Sequence, residues 1–143
     1  MNMAAVIGLP MAAAVLAAAG LVGAVSLAES ATPSTAHGAE VYERCAACHS
    51  LEHDRTGPRH CGLFGRRAGS VSSFEYSDAM RKSGIVWDDR TLDRFLAAPT
   101  RVVPGTSMGY SGVDDARERR DLVAYLRAAS VAPECGRTPR AAP

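Results

Sequence analysis

Cys45-Ala46-Ala47-Cys48-His49 is the densest group of chemically capable side chains in the sequence. Two thiols three positions apart and an imidazole directly after them form the C-x-x-C-H pattern, in which both thiols become thioethers on haem vinyl groups and the histidine ligates iron. The spacing has a geometric reason: at the end of a helix, cysteines three apart reach the two vinyl edges while the next imidazole faces the metal. The pattern also occurs in thiol redox sites and zinc sites. A redox site needs a βαβ context, for which the chain shows no signal, and a zinc site a second close Cys/His pair, whereas Cys61 and Cys135 stand far apart. An iron with one imidazole keeps a sixth position, which if open would admit small ligands or peroxide chemistry. Met108, in the loop Val103-Pro104-Gly105-Thr106-Ser107-Met108, is the candidate to fill it. A lone methionine is more often core filler. Its place about 60 residues after the histidine, in a Pro-Gly loop ahead of a last amphipathic helix, points to ligation.

These residues need elements to position them. Ala39, Val41 and Tyr42 among Glu40, Glu43 and Arg44 predict a short helix over 38–45 that runs into the first cysteine. Residues 50–73, rich in Gly, Arg and Ser and containing Pro58, read as loop. A short helix is expected over 77–83, stopped by Gly84. Asp88 can cap a third helix with Leu92, Phe95 and Leu96 on one face and Pro99 at its end, followed by a loop over 100–112. Asp115 and Glu118 resemble a capping box, and Leu122, Tyr125, Leu126 and Ala129 form a stripe on the last helix. No segment alternates with period two. The expectation is an all-α domain of about four short helices and long loops wrapped around one covalently bound haem.

Charge is nearly balanced, Lys+Arg 16 against Asp+Glu 15, so nothing global recommends nucleic acid or an anionic membrane as partner. No charged residue precedes Glu29, and residues 3–28 are almost wholly Ala, Val, Leu, Gly and Met. Residues 1–28 read as a signal peptide, with Ser26 and Ala28 suited to cleavage before Glu29, although the usual basic start is missing. The competing reading is an uncleaved membrane anchor, because the apolar run exceeds the ~20 residues that span a bilayer. Both place the remainder outside the cytoplasm, in the periplasm. Residues 29–37 read as a linker, 38–130 as the domain and 131–143 as a C-terminal tail. A mature chain of about 115 residues with few aromatics is marginal alone and gains stability if a large apolar cofactor completes its core.

From Gly38 to Ala129 the chain resembles the class I cytochromes c of the mitochondrial and soluble bacterial kind. Besides the attachment motif, the resemblance rests on Thr56-Gly57-Pro58, Gly62-Leu63-Phe64-Gly65-Arg66 and Phe74-x-Tyr76-Ser77-Asp78-Ala79. It extends through Trp87, Pro104-Gly105-Thr106-x-Met108 and Arg120-Asp121-Leu122-x-Ala124-Tyr125-Leu126. The resemblance implies a cytochrome c fold holding one haem c through Cys45 and Cys48, with His49 and Met108 as the iron ligands. It also implies that the Pro58 carbonyl accepts the free ring N–H of His49. Arg66, Tyr76 and Trp87 would meet the haem propionates, and Gly38, Tyr42 and Tyr125 would pack the first helix on the last. Without the resemblance Tyr76 and Trp87 read as core aromatics and Arg66 as a solvated charge. The implied function is one-electron transfer rather than catalysis, with His/Met ligation that barely changes between oxidation states. Implied partners are a quinol:cytochrome c oxidoreductase and a terminal oxidase or photosynthetic reaction centre, docked through small interfaces. The alternative is a dedicated haem subunit or acceptor of one periplasmic dehydrogenase. No nucleic acid is expected as partner, a membrane only through an uncleaved N-terminal segment, and the protein is expected to be a monomer.

The chain departs from this family in several places. It has one lysine, Lys82, where many relatives ring the haem edge with lysines. Thr100, Ser107, Asp114 and Asp115 fall at positions often basic, leaving Arg44, Arg101 and Lys82 as a reduced rim. Phe95 stands where relatives often carry a tyrosine near the methionine sulfur, and the loop between His49 and Gly57 is short. Cys61 and Cys135 are expected to form a disulfide outside the cytoplasm. His37, His53 and His60 are expected at the surface, His60 also being an iron ligand only in a partly unfolded state.

Overall fold

The computed structural model describes residues 32–136. The expected signal peptide or anchor at 1–28, the first residues of the linker and the tail from 137 onward lie outside the described residues. Ser34 begins the first helix, its Oγ accepting the His37 backbone N–H, so α1 covers Thr35–Ala46. Three residues assigned to the linker therefore belong to the helix. The reason is a long-range clamp: buried Asp121 accepts the Ser34 backbone N–H at 2.8 Å and pairs with His37 Nδ1 at 2.7 Å. Gly38, Val41 and Tyr42 form the buried face of α1.

Four further helices follow: α2 (Asp78–Lys82), α3 (Asp89–Ala97), α4 (Pro99–Val102) and α5 (Ala116–Ala129), then a 3-10 turn, Pro133–Gly136. Among the described residues the extended pairing is a single bridge between Arg67 and Val86, and no helix is long and apolar enough to cross a membrane. The architecture is all-α with long loops, as expected, with α4 as an addition. Pro99 ends α3 and also starts α4 at its first position, where the missing N–H costs nothing because no carbonyl waits for it. The expected loop over 100–112 thus starts as helix.

Asp88 caps α3 and Thr91 returns the bond, a complete capping box. Asp115 caps α5 through the Glu118 backbone N–H at 2.8 Å, but the reciprocal half expected there is not made. The Glu118 carboxylate instead takes both guanidinium nitrogens of Arg44 at 2.7 Å, linking α5 to α1. Leu122, Val123, Leu126 and Ala129 are the buried apolar residues of α5. α1 and α5 make the most extensive helix contact, and a Cβ at Gly38 would run into the Asp121 carbonyl group, so glycine sets how closely they cross. Tyr42 and Tyr125 pack at 5.1 Å across the same interface. Arg119 with Asp93, and Arg127 with Asp89, join α5 to α3.

The segment between α1 and α2 has no helix and spends its backbone bonds on neighbouring loops. His60 N–H and Cys61 N–H donate to the Leu51 carbonyl, Gly57 N–H to Cys48, and Trp87 N–H to Arg66. Cys61 and Cys135 are joined, with Cα atoms 5.2 Å apart. The start of the segment read as a C-terminal tail is therefore fastened back to the loop after Pro58.

Candidate functional site

α1 delivers its last turn to the mouth of a cavity of about 470 Å³, within the ~300–1,000 Å³ typical of cofactor sites. All eight residues expected at the site stand on its wall: Cys45, Cys48, His49, Pro58, Arg66, Tyr76, Trp87 and Met108. Much of the remaining wall is apolar, from Leu63, Phe74, Met80, Leu92, Leu96 and Leu126. A wide, largely apolar slot with two thiols, an imidazole and a thioether suits a flat macrocycle carrying a soft metal centre.

Helix geometry places the two thiols. Cys45 lies within α1, half-buried, and Cys48 follows the end of the helix, exposed; neither is in a disulfide. Burial pushes the Cys45 thiol above its usual pKa, with Arg44 opposing. The chain then turns inward. His49 N–H still donates to the Cys45 carbonyl at 2.9 Å, aiming the imidazole at the cavity.

His49 Nδ1 meets the Pro58 carbonyl at 2.8 Å. A carbonyl can only accept, so Nδ1 carries the proton and Nε2 keeps its lone pair for a metal. Burial lowers the His49 pKa, against the opposing bond to Pro58, which favours the neutral ligating form. Gly57 backs onto the ring so closely that a Cβ there would collide with it. Residue 57 must be small for the imidazole to sit where it does.

Met108 is half-buried on the cavity wall, its N–H donating to Thr106 Oγ1 at 3.2 Å in the turn after α4. Trp87 is buried and packs on Phe95 at 5.1 Å, and Tyr76 lies against Phe74 at 4.8 Å. Burial raises the Tyr76 pKa, with nearby Arg66 opposing, so the phenol keeps its proton as a donor. Arg66 donates to the Cys61 and Arg59 carbonyls at 2.9 Å each, and burial pulls its pKa down from a very high value. A half-buried guanidinium on an apolar wall fits a ligand with anionic arms.

The expected basic rim is smaller still. Arg44 is taken by Glu118 and Lys82 pairs with Asp78 at 3.3 Å, while Arg101 is exposed. His37 lies at the surface as expected, its side chain 40% exposed while it pairs with Asp121, and one expectation about the histidines is corrected. His60 is not a surface residue: it lines the cavity, stacks on His49 with centroids 4.4 Å apart, and shares a 3.1 Å hydrogen bond with the Tyr42 hydroxyl. Its surroundings push its pKa down to about 3, burial being the main cause, followed by His49 and Arg66. The only signal in the sequence was its place two residues after Pro58, since a loop that turns the Pro58 carbonyl onto His49 carries residue 60 along.

Comparison with known proteins gives the same picture. The sequence model of the Cytochrome c family matches residues 35–130. Cytochrome c of Gibberella zeae is 44% identical over 94 residues, 63% of this chain and 89% of that protein. Cytochrome c2 of Blastochloris viridis is 37% identical over 107 residues, 73% of this chain and 84% of the relative. Among solved structures, cytochrome cH from Methylobacterium extorquens superposes with a TM-score of 0.64 at 38% identity, covering 66% of this chain and 97% of its own. With its two cysteines at the mouth of an apolar slot, the chain belongs to the cytochrome c family, electron carriers rather than enzymes, each binding one covalent haem c.

Proposed function

We propose that this electron carrier holds its haem iron between His49 Nε2 and the Met108 sulfur. The observation that carries the reading is the Pro58 carbonyl on His49 Nδ1, which leaves Nε2 as the only basic ring nitrogen, on a cavity wall that also bears Met108. Haem c supplies the one-electron couple. Pro58 fixes which imidazole nitrogen carries the proton and Gly57 leaves the ring its room, while Leu92, Phe95 and Leu96 keep water away. Arg66, Tyr76 and Trp87 are the groups that would receive the propionates. Because a neutral imidazole and a thioether suit both oxidation states of iron, electron transfer demands little movement of the chain.

The carrier works in the periplasm, reached through residues 1–28 as a cleaved signal peptide or as an anchor. An oxidising compartment suits the Cys61–Cys135 bridge. Its partners are redox proteins, a quinol-oxidising complex and a terminal oxidase or reaction centre. The second reading, a dedicated haem partner of one dehydrogenase, is favoured by the rim: a single lysine, with Arg44 committed to Glu118, leaves little charge to steer onto a generic acidic dock.

Visible spectra of protein made with a cytochrome maturation system test the ligand set. A c-type reduced spectrum with the weak ferric band near ~695 nm, lost in Met108→Ala, is the expected result. A haem spectrum lacking that band in the native protein, with rapid cyanide binding, would sink the Met108 assignment.

A further inference from the structure

The His49 ring has one soft degree of freedom that the Pro58 carbonyl does not remove. Rotation about a histidine Cβ–Cγ bond has a broad, roughly two-fold profile, so one hydrogen bond at Nδ1 restrains the ring plane without holding it rigidly. In this chain a second imidazole lies along the first. The His60 ring is 4.4 Å from His49, centroid to centroid, with only 20° between the planes. It is not free to follow a tilt of its neighbour. Its Nδ1 shares a 3.1 Å bond with the Tyr42 hydroxyl, the two rings meet edge to face at 5.7 Å, and its backbone N–H donates to Ser50 and Leu51. Tyr42 is itself buried in the α1–α5 interface. Burial pushes its pKa up to about 12, so the hydroxyl stays protonated.

We infer that His60 is a positioning residue of the haem site, a stacked backstop fixed to α1 by Tyr42 that sets the plane of the His49 imidazole. The inference rests on His49 being an iron ligand. The plane matters because the π orbital of a ligating imidazole would overlap the iron d-π orbital that lies perpendicular to the ring, while its σ bond would be indifferent to rotation. The ring's orientation therefore decides how unpaired spin in the ferric state spreads over the haem edge. Most second partners of ligating histidines act through a hydrogen bond to the far nitrogen. Here Pro58 makes that bond, and His60 supplies orientation by ring contact.

The test is the proton NMR spectrum of the ferric holoprotein, whose hyperfine-shifted haem methyl resonances report the plane of the axial ligand. His60→Leu removes the stacked ring and Tyr42→Phe removes only its tether. Both are expected to rearrange the methyl shifts, Tyr42→Phe less, and Tyr42→Phe is expected to add nothing in the His60→Leu background. Val123→Ala, a core change away from the cavity, lowers stability without moving the resonances. Unchanged methyl shifts in both single variants, with only a lower melting temperature, would overturn the inference and leave His60 as packing. An undiminished Tyr42→Phe effect in the His60→Leu background would overturn the tether. Should His60→Leu fail to take up haem, Tyr42→Phe alone decides by the same readout. Failure of the ligand assignment is separate: it shows in the unmutated protein, as ferric spectra without histidine and methionine signatures.

Discussion

Gly38→Ala measures how tightly the helix carrying Cys45 is set against the rest of the molecule. A Cβ at position 38 would stand 2.6 Å from the Asp121 carbonyl carbon and 2.7 Å from Tyr125 Cβ, and closer still to the Asp121 oxygen. Comfortable carbon contacts are ~3.5–4.0 Å, so α5 would have to retreat by about 1 Å. Two of the colliding atoms are backbone, which no rotamer change can move aside. The retreat would loosen Val41 and Leu122, among the most fully buried side chains. Overpacking of this kind costs ~1–3 kcal/mol, and the upper end applies where backbone must shift. Alanine recovers ~1 kcal/mol of helix propensity. The net loss is about 2 kcal/mol, which at ~4–8 °C per kcal/mol lowers the melting temperature by roughly 10 °C. Thermal unfolding of the holoprotein followed by circular dichroism reads it, with exposed Glu43→Ala as a control expected to stay within ~0.5 kcal/mol. A Gly38→Ala variant melting at or above the parent would refute the reasoning, because the helix-propensity gain would then have met no steric resistance.

Three other outcomes follow from the same contacts. Gly57→Ala drives a methyl group into the His49 ring and, with His49 as the proposed iron ligand, should displace it, seen as a changed ferric Soret band and a lowered potential; parent-like values would mean the loop yields freely. Replacing Cys61 and Cys135 with serine removes a cross-link between positions 74 apart, for which chain entropy gives at most about 4.5 kcal/mol. Urea denaturation of the variant should match that of the reduced parent, and equal midpoints for oxidised parent and variant would show that the bridge contributes nothing. Asp121 is held below the ordinary carboxylate range by His37 first and the Ser34 N–H next, so its ionised form is favoured in the folded state. That stabilisation is present above the unfolded pKa of ~3.9 and lost as pH falls through the lower folded value. Denaturation midpoints of the parent and Asp121→Asn should therefore converge as pH drops from ~5 toward ~3; a constant gap would contradict the assignment.

What the sequence made legible and what it hid divide along a physical line. The attachment motif and the stripes of α3 and α5 were readable because their geometry is local: three-residue thiol spacing and a period of 3.6 need no distant partner. The start of α1 was hidden because Ser34 and His37 are organised by a carboxylate 87 and 84 positions away. Glu118 had the spacing of a capping box, yet its side chain serves Arg44, 74 positions distant, since a guanidinium offers two charged bonds where the cap offers one. Pro99 was read only as a stop, although a residue without an N–H suits a first helical position equally well. At the site the same line separates Met108, announced by its Pro-Gly loop, from His60, whose position follows only once the loop after His49 is folded back. Arg66 shows why a role cannot be taken from spacing alone. Its guanidinium already holds the Cys61 and Arg59 carbonyls, so it shapes the loop that carries Pro58 and His60 before it can meet any propionate. Replacing it would thus disturb the loop that sets Pro58 and His60 against the His49 ring.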